Sequence, residues 1–338
     1  MAEFEIKTIA MNNKLSQKAS EIPNSSKELI EQLRKLINHR KPVTKRRLCG
    51  RKEIFLVASK ESWLATVGYI LGDVIAVGGC RTVVHRADDM LGNGRVAVKV
   101  VRLIQLRKRG MNRDYIKFSI RDRWAKLSHP HICHLHDVII GRRKAFFITQ
   151  FACQGDVQRF IQNEDKYRSV FPSTVRRWCW QLTSALNYLH NQRLSHCDLK
   201  LENILLNCNL NVKLTDIGFA WNMQYQTEIE TKSPMCCTIA YAAPEVLMGN
   251  LICELSADLW ALGVIFYALW NRCLPFPGHV ERDVILNIQK MAIIWKRGNN
   301  HAVDRPANDL VHRLLQISPK DRISCQEVMK HRLFTSTI

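Results

Sequence analysis

Between Ser195 and Asn203 the sequence reads Ser-His-Cys-Asp-Leu-Lys-Leu-Glu-Asn. This sets a carboxylate at Asp198, an ammonium at Lys200 and an amide at Asn203, with apolar Leu199 and Leu201 between them. In extended or loop backbone, residues two apart share a face, so the polar groups can converge on one site while the leucines anchor the loop. A carboxylate that orients a hydroxyl, a cation for developing negative charge and an amide oxygen for a hard metal ion suit the transfer of an anionic group. A solvated surface loop would show the same nine residues, so the stretch acquires meaning only from what surrounds it.

Downstream, Asp216 lies within Leu214-Thr-Asp-Ile-Gly218, after the apolar run Ile204 to Leu206 and the strand-like Val212 to Thr215. Ala243-Pro-Glu245 and Asp258-Leu-Trp260-Ala-Leu-Gly263 follow, and Val96-Ala-Val-Lys99 stands upstream. With these motifs in this order, the chain resembles the eukaryotic protein kinases over Gly68 to Phe334. Gly68-Tyr-Ile-Leu-Gly72, Gln154-Gly-Asp156 and Tyr241-Ala-Ala-Pro-Glu245 look most like the testis-specific serine kinases.

The resemblance implies an α+β, bilobal protein kinase fold, with a small β-rich N-lobe and a larger, mainly α-helical C-lobe. It implies ATP with Mg²⁺, or Mn²⁺, as cofactors and Ser/Thr hydroxyls of protein substrates as acceptors. Asp198 then orients the substrate hydroxyl and Lys200 steadies the transferring phosphate, while Asn203 and Asp216 hold metal. Ala76, Gly78 and Val83 cover the phosphates, Ala97 roofs the adenine, and Lys99 reaches the α- and β-phosphates. Thr149 gates the back of the pocket, Gln150 to Ala152 offer backbone groups to adenine, and Asp156 meets ribose or a basic substrate residue. Glu202 and Asp156 together form an acidic rim favouring arginine near the acceptor. Glu245 pairs with Arg322, and Asp258 holds the catalytic-loop backbone.

Five positions depart from that pattern. Only Gly78 fills a glycine position of the phosphate-covering loop, with Ala76 and Arg81 in place of glycines. In the helix Tyr115 to Leu127, the position expected to supply a glutamate to Lys99 is Ile120. A glutamate placed there should raise activity if the register is right, and lower activity and stability together if Ile120 packs on Trp124. Cys197 stands where the family has arginine, and Pro234, beside Ser233, where relatives carry a phosphorylatable threonine. Both halves of a phosphorylation switch are thus missing. These departures also fit a pseudokinase, a nucleotide-binding or scaffolding module without turnover; the retained Lys99, Asp198, Lys200, Asn203 and Asp216 argue for an active enzyme.

The elements that must position these residues are legible by period. Val96, Val98 and Val100 alternate with Ala97 and Lys99 as on a strand, and Thr174 to Asn191 carries Trp178, Leu182, Leu186 and Leu189 along one helical face. Residues 1–66 form a basic extension, polar at first, with Leu29, Ile30, Leu33, Leu36 and Ile37 at helical spacing; residues 67–335 form the kinase domain. The 50 Lys and Arg against 30 Asp and Glu give +20, which attracts acidic partners, yet no motif for sequence-specific nucleic acid accompanies it. Leu259 to Trp270 is too short for the ~20 apolar residues of a membrane span, so no membrane insertion is expected. The 12 cysteines, including Cys179, Cys208 and Cys273 in apolar or helical patterns, read as reduced thiols of a monomeric cytoplasmic protein. The basic cluster Arg40 to Arg47 is a candidate nuclear import signal.

Overall fold

The structure, a computed structural model, describes residues 62–78, 82–90, 92, 94–108, 112–113, 116, 120–168, 170–217, 238–249, 254–293 and 304–335. The expected helix around Leu29 to Ile37, the basic cluster, Arg81, Ser233 and Pro234 lie outside them. The chain divides into two units. One holds residues up to 108 together with 136–151; the other holds 109–135 and everything from 152 onward. One is built on a β-sheet and the other is mainly helical, as the α+β reading expects.

The first unit is a five-stranded sheet in the order β1-β2-β3-β5-β4. Its strands are β1 (Tyr69–Gly78), β2 (Thr82–Asp89), β3 (Gly94–Arg102), β4 (Leu135–Ile140) and β5 (Lys144–Gln150). β-Branched side chains favour the pleated conformation, and β3 carries four valines. Val96, Val98 and Val100 bury one face against Tyr69, Ala87, Phe146 and Ile148. Leu64, from the 3₁₀ turn Ser62–Val67, joins the same cluster, so the packed unit reaches back before Gly68. Truncating such a leucine to alanine typically costs about 2–5 kcal/mol. Ala97 and Lys99 take the opposite face, as the alternation requires.

In the second unit, β6 (Gly155–Asp156), β7 (Ile204–Leu206) and β8 (Val212–Leu214) form a small antiparallel sheet. Helix α1 (Val157–Gln162) follows β6, and α2 (Pro172–Asn191) starts with proline at its first turn, where a missing N–H has no intrahelical partner to lose. α2 buries Val175, Trp178, Leu182, Leu186 and Leu189 at helical spacing. It also holds the β7–β8 turn: Trp178 Nε1 donates to the Leu210 carbonyl at 2.7 Å, and Gln181 receives the Val212 N–H at 2.9 Å and donates to Asn211 Oδ1 at 2.7 Å. Helix α3 (Glu254–Asn271) is apolar on all sides because it runs through the core. A Cβ at Gly263 would lie 2.8 Å from the Leu314 side chain, so only glycine permits this approach of α4 (Asp304–Leu314). No helix among the described residues is long and apolar enough to cross a membrane.

Two expectations change. Cys208 is not a thiol in an apolar pattern: it is exposed in the β7–β8 turn and disulfide-bonded to Cys153. Ile120 is buried, as are Ile116 one helical turn before it and Trp124 one turn after. Trp124 Nε1 donates to the Cys133 carbonyl at 2.8 Å, and Cys133 N–H donates to the Leu214 carbonyl at 2.8 Å. The Ile116-Ile120-Trp124 stripe is therefore core, tied through Cys133 to β8.

Of the two outcomes expected for Ile120→Glu, burial selects the second. A carboxylate buried there without a partner costs on the order of 2 kcal/mol or more. Melting temperature should fall by several degrees and activity should fall with it; a variant that keeps its melting point and gains activity would contradict this packing.

Candidate functional site

Each unit carries part of the expected set. In the first, Lys99 sits on β3 directly opposite Val84 of β2 and Phe147 of β5, and Ala97 stands opposite Arg86 and Thr149. Directly paired residues project to the same face, so Ala97, Lys99 and Thr149 lie together on the face away from the valine core. Ala97 and Thr149 are buried, and Lys99 is half-buried. Ala76 pairs with Val84 and joins that face, and Gly78 pairs with Thr82 at the end of the β1–β2 ladder. Val83 does not join: it pairs with Val100 and takes the core face. Val84 is the β2 residue beside Lys99. The family spacing points to Val83; the hairpin register puts its neighbour on that face instead. Gln150, opposite Val96, ends β5 on the other side of the strand from Thr149, and Ala152 follows half-buried.

In the second unit the catalytic candidates are held by their own loop. Asp258, near the start of α3 and buried, accepts the backbone N–H of His196 at 2.7 Å and of Cys197 at 2.8 Å, and lies 3.0 Å from His190 Nε2. His196 is fully buried; its Nδ1 accepts the Asp198 N–H at 3.3 Å, so its Nε2–H is the donor to the Thr215 carbonyl at 2.8 Å. Thr215 N–H in turn donates to the Asn203 carbonyl at 3.0 Å. Cys197 and Asp216 both adopt left-handed backbone, φ 59° and 65°, conformations that cost a non-glycine residue about 1 kcal/mol and persist only when surroundings fix them. The sulfur of Cys197 lies 2.6 Å from Ser195 Oγ.

Three of the predicted residues converge. Lys200 Nζ reaches Asp198 Oδ2 at 2.8 Å and Oδ1 at 3.0 Å, and donates to Thr238 Oγ1 at 3.2 Å. Asn203 Nδ2 donates to the Asp198 carbonyl at 2.7 Å and to Asp198 Oδ2 at 3.1 Å. With its amide nitrogen committed to Asp198, Asn203 has its side-chain oxygen to offer, and the Asp216 carboxylate follows one residue after the Thr215–Asn203 hydrogen bond. An amide oxygen and a carboxylate are the hard donors that Mg²⁺ prefers, so these two residues fit that ion. Asp156 has a second duty that the sequence did not reveal: its Oδ1 accepts the Arg159 N–H at 2.8 Å and caps α1. Glu245 and Arg322 form the expected buried pair, bidentate at 2.6 Å and 2.6 Å, with the guanidinium also donating to the Ser256 and Gln316 carbonyls.

The profile of the protein kinase domain matches residues 75–334. The chain belongs to the protein kinase family. It is 31% identical over 279 residues to a carbon catabolite-derepressing protein kinase of Secale cereale, a match covering 81% of this chain and 53% of the rye protein. It is 29% identical to the serine/threonine-protein kinase kin-29 of Caenorhabditis elegans over 78% of this chain and 30% of that one. It is 31% identical to the testis-specific serine/threonine-protein kinase 5 of Mus musculus over 70% of this chain and 62% of that one. The chain thus spans between 30% and 62% of the length of these relatives.

One support of the strand that leads to Asp216 is titratable. His129 Nδ1 accepts the His131 N–H at 3.2 Å and its Nε2 faces Ser184 Oγ at 3.1 Å, while the carbonyl of His131 accepts the Leu214 N–H at 2.8 Å. Burial, then neighbouring His131 and Lys213, lowers the His129 pKa from 6.5 to about 4. His131 is lowered in the same direction, chiefly by burial. Since the folded value lies below the unfolded one, the stability these rings contribute is complete above pH 6.5 and is lost as pH falls from there toward 4. Melting temperature should therefore decline between pH 7 and 5, and His129→Gln should flatten that decline. An unchanged slope in the variant would exclude His129 as its source.

Proposed function

We propose that this protein is a serine/threonine protein kinase that transfers the γ-phosphate of Mg-ATP to hydroxyls of protein substrates. The observation that carries the reading is the contact of Lys200 with both Asp198 oxygens and with Thr238, closed on the other side by Asn203. A carboxylate so held can orient an acceptor hydroxyl, with the adjacent ammonium placed for charge on the transferring group. Asn203 and Asp216 are the residues that would hold the divalent ion, which supplies charge neutralisation at the phosphates when bound. Lys99, Ala97, Thr149 and Ala76 of the first unit supply the nucleotide contacts, with Val84 in place of Val83. Glu202, exposed beside the catalytic loop, and Asp156 favour arginine near the acceptor. Likeness to the mouse testis-specific kinase supports a role of that kind, and a cytoplasmic monomer is part of the same proposal.

A pseudokinase reading rests on the sparse glycines of the covering loop and on Ile120. The decisive measurement is phosphate transfer from labelled ATP to an arginine-rich peptide set with Mg²⁺ or Mn²⁺, against Asp198→Asn. The wild-type chain should label peptide and the variant should lose at least ~100-fold, the usual scale of a lost general base. Equal labelling by both, or by neither, rejects turnover at this site. Nucleotide binding should also be weak, since Ala76 restricts the backbone that approaches the phosphates. Metal-dependent thermal stabilisation should appear only toward millimolar ATP; saturation at micromolar ATP would show the cover to be intact.

A further inference from the structure

The two cysteines of the Cys153–Cys208 disulfide stand at places that the backbone itself brings opposite each other. Gly155 pairs with Leu206 and Asp156 with Leu205 in the antiparallel β6–β7 ladder. Continuing that register by two residues sets Cys153 against Cys208, and their Cα atoms are 5.5 Å apart, within the span a disulfide bridges. Gln154 N–H donates to the Leu206 carbonyl at 3.1 Å between the bond and the ladder, and Asn207 N–H donates to the Asn211 carbonyl at 3.1 Å on the turn side. The fold therefore holds both thiols in reach of one another without the bond, across 55 residues of sequence.

Their exposure separates this pair from the other described cysteines. Cys133, Cys179 and Cys325 are buried, and burial pushes the Cys179 thiol up and that of Cys325 to about 12. Thiols of that kind form little thiolate and react slowly. Cys153 and Cys208 are both exposed, so oxidants and reductants reach them. Exposed disulfides are the labile ones, and in a reducing compartment a disulfide is transient and regulatory more often than structural.

We propose that Cys153 and Cys208 form a reversible, redox-controlled cross-link that sets the rigidity of the connector Ala152 to Asp156 and, with it, nucleotide affinity. The oxidant is a hydroperoxide. The thiolate of one cysteine attacks the peroxide oxygen, the O–O bond breaks with loss of hydroxide or alkoxide, and a sulfenic acid forms. The second thiol then attacks that sulfur, the S–O bond breaks and water leaves, completing a two-electron oxidation of the pair; a dithiol reverses it by exchange. The bond fixes Cys153 to the β7–β8 turn. Ala152 precedes it directly, and Asp156, the cap of α1, follows three residues later. Reduction leaves this stretch held by the two-pair ladder, the Gln154–Leu206 and Gly155–Ala152 backbone bonds and the Asp156 cap, so its amides open more often than with the covalent link in place. The link to affinity rests on the kinase reading, in which Gln150 to Ala152 meet adenine; the link to rigidity does not.

The test uses the full chain, dithiol-reduced or treated with hydrogen peroxide, beside Cys153→Ser and Cys208→Ser. Differential alkylation with mass spectrometry should find the 153–208 bond after peroxide and lose it after dithiol. Hydrogen exchange at residues 152–156 should be several-fold slower in the oxidised wild type than in the reduced protein or either variant. ATP KM should be several-fold lower in the oxidised form with kcat little changed, and both variants should show the reduced value under either treatment. Because the variants keep Cys197, any oxidation in the catalytic loop appears in them too and is subtracted. Absence of the bond after peroxide, equal exchange in both forms, or a KM response that persists in Cys153→Ser would each overturn the proposal. Exchange that slows on oxidation while neither form binds ATP would uphold the connector cross-link and remove the kinase reading.

Discussion

The catalytic loop depends on one buried carboxylate. Asp258 accepts two consecutive backbone N–H groups, those of His196 and Cys197, one on each oxygen. Charge-assisted bonds of this kind contribute about 1.5–3 kcal/mol each, enough to hold Cys197 in a left-handed conformation that costs about 1 kcal/mol. That turn of the backbone is what directs the following residue, Asp198, toward Lys200 and Asn203. Remove the carboxylate and two buried amides lose their acceptor while the strained turn loses its restraint, so the loop relaxes by the same route that the carboxylate closes.

His196 carries this order from one loop to the next. Its ring accepts from Asp198 and donates to Thr215, so the tautomer is fixed by two backbone groups belonging to two different segments. Thr215 then donates to Asn203, closing a circuit from Asp198 through the histidine to the residue before Asp216. A ring that donated at both nitrogens would break one of these bonds. Its full burial shields both bonds from water and is thus part of how Asp198 and Thr215 keep their positions.

Much of this was legible because the chemistry is local in sequence. Asp198, Lys200 and Asn203 lie within six residues: alternation brings Lys200 to Asp198, and the 3₁₀ turn Leu201–Asn203 returns Asn203 to it. The strand face of Lys99 followed from the valine alternation in β3 for the same reason. What was not legible depends on register or on distant partners. Val83 and Val84 are chemically identical, and only pairing across the hairpin shows which one faces Lys99. Asp156 reads as a ligand-binding acid until the helix behind it is seen to need a cap. Cys153 and Cys208 meet through a ladder between segments half a hundred residues apart, which no spacing rule announces. Ile120 was placed by counting, and its neighbours at one turn on either side show it to be apolar because it is packed.

Cys197 shows how one substitution redistributes a task. In the family pattern an arginine at this place reaches a phosphate in the activation segment; a cysteine has neither the length nor the charge to do so. Here its sulfur turns to Ser195, within its own loop. The contact to residues after the catalytic loop that the structure does show is made by Lys200, whose ammonium bridges Asp198 and Thr238. Thr238 precedes the 3₁₀ turn Ile239–Tyr241 and the buried Glu245–Arg322 pair, whose guanidinium also donates to the Gln316, Ser256 and Ile317 carbonyls and lies over the Trp260 ring. An anchor of that kind exists without phosphorylation. Residues 238–245 are therefore secured by a neutral hydroxyl at one end and a buried ion pair at the other.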